Sequence, residues 1–168
     1  MPLTLIQGDI TKKRVDVVVN AANSRLAPGG GVCGAIFAAA GYAQLDRACQ
    51  AIGRCETGNA VITPGFYLPA KYIIHAVGPV WQGGNRNEAQ LLSSCYTNSL
   101  KLAVENHCAS IAFPLISSGI YGYPKKEALE IAIDSIHRFL ENQKLDVYLV
   151  LFDREATVLG EALMREKS

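Results

Sequence analysis

Residues 15–40 read VDVVVNAANSRLAPGGGVCGAIFAAA, and three textures follow one another along that stretch. Val15-Asp-Val-Val-Val-Asn20 is a short β-branched run, better suited to a buried strand than to a helix. Pro28-Gly29-Gly30-Gly31 then breaks regular structure. From Val32 to about Ile52 the chain is Ala-rich and helical, with Gly41 dividing it. Strand, glycine-rich turn and helix in that order form one β–α unit, and its repetition decides the fold class.

The unit does recur on both sides. Leu3–Gln7 alternates and reads as a first strand, and Ala60–Thr63 and Tyr72–Val77 read as two more. Each of the latter is stopped by breakers, Pro64-Gly65 and Gly78-Pro79. A long helix is expected from about Asn87 to His107. Asn85 and Glu88 have capping-box spacing ahead of it, and Leu92, Tyr96, Leu100 and Val104 form its apolar stripe. Ser110–Ile116 is a strand closed by Ser117-Ser118-Gly119. Pro124 opens another helix, in which Leu129, Ala132, Ile133, Ile136, Phe139 and Leu140 keep a 3.6-residue period. Asp146–Phe152 is the last strand, and a helix over about Glu155 to Met164 follows. Strands alternating with helices predict a layered α/β fold around a largely parallel sheet. With no internal repeat, linker or low-complexity stretch, one domain over residues 1–168 is expected.

Composition narrows the functional classes. The 168 residues include 16 Lys and Arg against 15 Asp and Glu, a net charge of +1, which argues against a general nucleic-acid binder. A hydrophobic fraction of 49% with only 18% charged residues is globular rather than disordered. No apolar run approaches the ~18 residues of a membrane helix, and no basic segment precedes an apolar core at the N-terminus. The five cysteines, Cys33, Cys49, Cys55, Cys95 and Cys108, form no CxxC pair. That pattern points to reduced thiols in a cytosol, with no metal site expected.

In open α/β sheets, ligands sit beyond the carboxyl ends of the strands. Three such ends carry small or polar residues here: Gly8-Asp9, Asn20 through Gly31, and Ser117-Ser-Gly-Ile-Tyr-Gly122. Glycine lets backbone amides approach an anion, and a following helix adds its positive end. Two such loops face to face would hold a diphosphate without a lysine clamp; the alternative is that the glycines only make tight turns. Neither loop matches GxxxxGK[ST], and Gly29-x-Gly31-x-x-Gly34 is a weak match to GxGxxG.

Several motifs together resemble macrodomains. They are Gly8-Asp9-Ile10-Thr11, Val19-Asn20-Ala21-Ala22-Asn23, Gly29-Gly30-Gly31-Val32, Ile74-His75-Ala76-Val77-Gly78-Pro79 and Ile116 through Pro124. The likeness runs from Leu3 to about Leu163 and is closest to the bacterial MacroD-type O-acetyl-ADP-ribose deacetylases and ADP-ribosyl-hydrolases. It implies a three-layer α/β/α sandwich with a mixed, largely parallel sheet, and an ADP-ribose cleft at its crest. It also implies ADP-ribose, its esters and mono-ADP-ribosylated proteins as partners, with no cofactor and no metal.

The resemblance gives residues roles. Asp9 would accept the adenine amine with the Ile10 backbone beside it, whereas taken alone Asp9 reads as a turn cap. Asn23 would bond the distal ribose hydroxyls, since a carboxamide both donates and accepts. Asn20 would fix the loop through backbone contacts. Gly30, Gly31 and Val32 would surround the distal phosphate and ribose. Ser117, Ser118, Gly119, Ile120 and Tyr121 would serve the diphosphate, the Tyr121 ring acting as a lid or simply packing. Phe152 and Asp153 would lie near the adenine.

One departure bears on activity. Where the MacroD-type pattern has GGGVDGAIH, this chain has Gly29-Gly30-Gly31-Val32-Cys33-Gly34-Ala35-Ile36-Phe37. The family aspartate is the residue assigned to the attacking water, and a thiol is a far weaker acceptor. Cys33 is therefore the candidate catalytic position together with Asn23, and two readings stand: an ester hydrolase, or a reader that binds ADP-ribose without turnover. His75 reads as a satisfied core histidine, His107 and His137 as helix-end or surface residues, and the other cysteines as core. Lys12-Lys13-Arg14 reads as a solvated turn.

Overall fold

A computed structural model describes residues 3–167. In chain order the elements are β1 (Leu3–Gln7), a 3-10 turn (Ile10–Lys12), β2 (Val17–Ala22), α1 (Gly31–Ala40), α2 (Tyr42–Ile52), β3 (Ala60–Pro64) and β4 (Tyr72–Val77). Then come α3 (Glu88–Glu105), β5 (Ser110–Phe113), α4 (Lys125–Leu140), β6 (Asp146–Leu151) and α5 (Arg154–Glu166). The strands form one sheet in the order β1-β6-β5-β2-β4-β3, parallel throughout except that β3 runs antiparallel to β4.

The alternation of side chains along each strand builds the layers. Val17 and Val19 of β2, Ile74 and Ala76 of β4, and Ile111 and Phe113 of β5 enter a core with Leu92, Tyr96 and Leu100 of α3 and Leu129, Ile133 and Ile136 of α4. Their neighbours Val18, Ile73, Val77 and Ala112 face the opposite core, with Ile36 and Phe37 of α1 and Leu45 and Cys49 of α2. Both faces of the central strands are covered, which is why these strands read as continuous apolar runs. The result is the three-layer α/β/α sandwich with a mixed sheet.

Several boundaries differ from the sequence expectation. The second strand starts at Val17 because the Asp16 carbonyl already accepts from the amides of Lys71 and Tyr72. The fifth ends at Phe113, before Pro114, which has no N–H to give a ladder; the Ile116 amide donates instead to the Tyr96 hydroxyl at 3.1 Å. Val104 is half-buried, and the inner stripe of α3 ends on Ala103. The capping box at Asn85 does not form. Asn87 precedes α3 in the left-handed region (φ 64°) without a side-chain cap.

Glu88 nevertheless gathers orphan amides. Its carboxylate accepts from the backbone N–H groups of Gln82 (2.8 Å), Gly84 (3.1 Å) and Arg86 (2.6 Å) while the residue is buried. Burial by itself would raise its pKa, but these amides, Gln82 and Arg86 foremost, outweigh it and bring the value down to about 2. A folded-state pKa below the unfolded one contributes stability above the ordinary value of 4.5, and that stability is lost as pH falls toward about 2. In urea titrations at successive pH values, wild type should lose stability across this window faster than Glu88→Gln; parallel slopes would refute the assignment.

Candidate functional site

Parallel pairing brings the expected segments to one edge. Gln7 at the end of β1 aligns with Leu151 at the end of β6, and Ala22 at the end of β2 with Val77 at the end of β4. Gly8-Asp9, the loop 23–31, the loop 114–124 and Phe152 therefore all leave the sheet at its carboxyl side. The two glycine-bearing loops lie close to each other: a Cβ built on Gly30 would lie 3.9 Å from the Ile120 methyl.

The first loop leads into α1 without a side-chain cap, Gly30 being the N-cap. The Gly34 amide closes the first turn onto the Gly30 carbonyl at 3.2 Å. The amides of Gly31, Val32 and Cys33 are first-turn donors that a helix leaves unpaired, and they head a ten-residue helix whose positive end points the same way. Gly34 is glycine for space, since a Cβ there would come within 2.6 Å of the Gly29 carbonyl oxygen. In the second loop, Ser117 sits in the left-handed region (φ 69°). Its carbonyl accepts from Tyr123, and the Gly119 carbonyl accepts from Gly122. Among the described residues, the amides of Gly119, Ile120 and Tyr121 have no protein acceptor. Residues 28–34 and 117–123 contain no Lys or Arg, so dipoles supply the positive field at both loops.

Asp9 caps the 3-10 turn, accepting on Oδ1 from the Thr11 amide (2.9 Å) and hydroxyl (2.6 Å). These bonds, the hydroxyl first, hold its carboxyl below the ordinary carboxylate value. Both land on one oxygen of an exposed carboxylate, so the turn-cap reading holds and the second oxygen is left over. Ile10 is buried in the core against α1 and α2, so only its backbone faces the edge. Asn23 clamps its own loop: Nδ2 donates to the Ala27 carbonyl (2.8 Å) and Oδ1 accepts from the Ala27 amide (3.0 Å). One amide proton and one lone pair remain for a ligand.

Cys33 lies in the first turn of α1, 6% exposed, beside Gly29 and Asn23. The hydroxyl of Ser118 donates to the Leu115 carbonyl (3.1 Å), whereas the buried Ser117 Oγ has no partner. Ile120 and Phe152 are each 89% exposed, two large apolar side chains held in water at the same edge. Asp153, next along the chain, caps α5 through the Ala156 amide (2.8 Å) and pairs with Lys125 (3.2 Å).

Two features were not visible in the sequence. Asn20 does not fix the loop through backbone contacts; its buried carboxamide reaches Cys33 and His75. Trp81 donates its backbone N–H to the Tyr121 carbonyl (2.8 Å) and packs on Tyr123 with ring centroids 4.7 Å apart, bracing the second loop. Gly78 permits this closeness, because a Cβ there would collide with the Ser117 hydroxyl. The remaining cysteines are buried, and burial pushes the Cys49 thiol up to about 11 and the Cys95 thiol up to about 12. Among the described residues, no three His, Cys, Asp or Glu side chains gather as a metal site, and no helix is long and apolar enough to cross a membrane.

Known proteins share the family and the fold of this chain. The profile of the Macro domain family matches residues 19–132. The O-acetyl-ADP-ribose deacetylase of Escherichia coli K12 is 52% identical over 169 residues, covering 97% of this chain and 95% of that protein. The Oceanobacillus iheyensis macrodomain solved with ADP superposes with a TM-score of 0.94 at 41% identity, covering 98% of this chain and 90% of that one. The Trypanosoma brucei macrodomain in complex with ADP-ribose superposes with a TM-score of 0.90 at 37% identity, covering 96% of this chain and 68% of that one.

Proposed function

The chain belongs to the Macro domain family, and from that premise we propose that it binds ADP-ribose and hydrolyses ADP-ribosyl esters, O-acetyl-ADP-ribose and mono-ADP-ribosylated acidic side chains among them. The observation that carries the reading is the pair of neighbouring loops, each presenting unpaired backbone amides at the carboxyl edge of the sheet. A diphosphate between them is held by dipoles that need no rearrangement.

The remaining roles follow from position. Asp9 offers its second carboxylate oxygen to the adenine amine, with the Ile10 backbone alongside and Phe152 available to cover the base. Gly30, Gly31 and Val32 embrace the distal phosphate and ribose, and Asn23 presents its spare proton and lone pair to the ribose hydroxyls. Ser117, Ser118, Gly119, Ile120 and Tyr121 wrap the diphosphate. In the reaction, water adds to the acyl carbonyl, the bond to the ribose oxygen breaks, and ADP-ribose leaves with a restored hydroxyl. Positioning supplies most of the acceleration, because Cys33 brings no carboxylate to the water. The whole chain works as one domain in the cytoplasm and needs no cofactor.

That same thiol favours a second reading, a module that binds ADP-ribose without turnover. Release of acetate from O-acetyl-ADP-ribose under single-turnover conditions, measured against a no-protein control, separates the two. Binding is common to both. Calorimetry should show ADP-ribose preferred over AMP, which lacks the second phosphate and distal ribose; equal affinities would sink both readings. Asp9→Ala should weaken ADP-ribose binding by about 1–3 kcal/mol. Asp9→Asn keeps an oxygen for the Thr11 cap, so an equal loss in Asp9→Asn assigns the effect to the adenine rather than to the turn.

A further inference from the structure

Behind Cys33 runs a buried polar chain that the proposed function does not use. Asn20 of β2 and His75 of β4 are direct neighbours in the parallel register, 1% and 0% exposed. Asn20 Nδ2 lies 3.1 Å from His75 Nδ1 and 3.6 Å from the Cys33 sulfur. On the far side, His75 Nε2 lies 3.0 Å from the Thr63 hydroxyl and 3.8 Å from the Cys49 sulfur. On the near side, the Cys33 thiol points to the Ala27 carbonyl at 3.9 Å, the same carbonyl that the Asn23 amide holds at 2.8 Å.

Donors and acceptors can be assigned along the whole chain. Burial lowers the His75 pKa to about 4, so the ring is neutral at neutral pH and carries one N–H. Thr63 donates to the Pro64 carbonyl at 3.2 Å, which leaves its oxygen to accept from His75 Nε2–H. Nδ1 is then a bare acceptor for one proton of Asn20, and the second proton of Asn20 goes to the Cys33 sulfur. Within this cluster Asn20 Oδ1 is left buried without a partner. Turning the amide over would instead bury two unpaired protons and cost Thr63 its bond to Pro64, a worse account. With its lone pair held by Asn20 and its proton by Ala27, the Cys33 side chain has one orientation.

We propose that Asn20 and His75 are positioning residues. Together they set the Cys33 thiol and, through Ala27, the carboxamide of Asn23 that faces the distal ribose. The idea rests on the site assigned above, but it is readable without turnover.

The test uses three single variants of the full chain, together with a Cys33→Ala background. His75→Leu removes the acceptor, His75→Asn restores one near the Nδ1 position, and Thr63→Val cuts the far end. His75→Leu should lower kcat on O-acetyl-ADP-ribose about tenfold while the Kd for ADP-ribose moves less than about twofold, and His75→Asn should recover most of the rate. In a Cys33→Ala background the same His75→Leu change should cost much less, because the route runs through the thiol. Additive losses of kcat, or a fall in kcat matched by a rise in Kd in both His75 variants, would overturn the proposal in favour of simple structural support.

If wild type hydrolyses no ester, the hydrolase reading has failed, and the side-chain amide resonances of Asn20 and Asn23 decide the proposal instead. Both should shift in His75→Leu and return in His75→Asn; an unmoved Asn23 resonance would overturn it. Should His75→Leu fail to fold, Thr63→Val carries the same readouts with smaller changes in the same direction.

Discussion

Cys33→Asp raises the rate of ester hydrolysis by about 10–100-fold, part of the ~10²–10⁴ that general-base help supplies. The expectation follows from where residue 33 sits. It occupies the first turn of α1, beside unpaired amides, with Asn20 Nδ2 3.6 Å from the sulfur. A carboxylate there accepts from Asn20, is favoured by the positive end of the helix, and has a second oxygen for water. The thiol donates weakly to the Ala27 carbonyl instead. Binding of ADP-ribose should change little, since the diphosphate is held by the loops. The measurement is single-turnover acetate release alongside calorimetry. Cys33→Ala divides the remaining cases: retained activity makes the thiol a spectator, and lost activity with intact binding gives it a chemical part. If wild type and Cys33→Asp are both inactive on ester-linked ADP-ribose, the hydrolase reading falls and the binding module stands.

Asn23→Ala should cut turnover by roughly 10–100-fold, with ADP-ribose affinity falling much less. The clamp between Asn23 and Ala27 sharpens this test. One carboxamide holds both the amide and the carbonyl of Ala27, so its loss frees the loop that leads into the N-terminus of α1. If Asn23 acts mainly on the distal ribose, kcat falls and Kd stays. If it acts mainly by shaping the loop, kcat falls and Kd rises together, because the amides of Gly31 and Val32 are displaced from the phosphate as well. Measuring kcat and Kd on one protein preparation distinguishes the two.

Legibility in the sequence follows the range of the interaction involved. Gly41 was expected to divide the helical stretch, and it does, at φ 108° between α1 and α2. The strand at Tyr72–Val77 and the helix opened by Pro124 were likewise expected where they occur. Caps fared less well. Asn85 was spaced for a cap that Asn87 occupies without a side-chain bond, and Glu88 serves three amides that precede the helix. Asp153, which the resemblance puts near the adenine, also caps α5. Cap choice depends on the path of the incoming chain, which local spacing does not encode.

The sequence by itself determined the elements, the layering and the placing of the glycine loops. Period-2 and period-3.6 patterns and glycine breaks are local properties, and strands buried on both faces announce themselves by unbroken apolar runs. It also carries Cys33 at the position where the resemblance to MacroD-type proteins implies an aspartate. Only the tertiary structure decided what surrounds that thiol. Asn20 is 13 residues from Cys33 and 55 from His75 in the chain, and they meet because β2 pairs with β4 in one particular register while α1 folds back beside them. It also committed the Asn23 amide to Ala27 and one oxygen of Asp9 to Thr11. Hydrogen bonds between side chains need atoms within about 3–4 Å and correctly aimed, and such closeness between distant residues exists only once the sheet has formed.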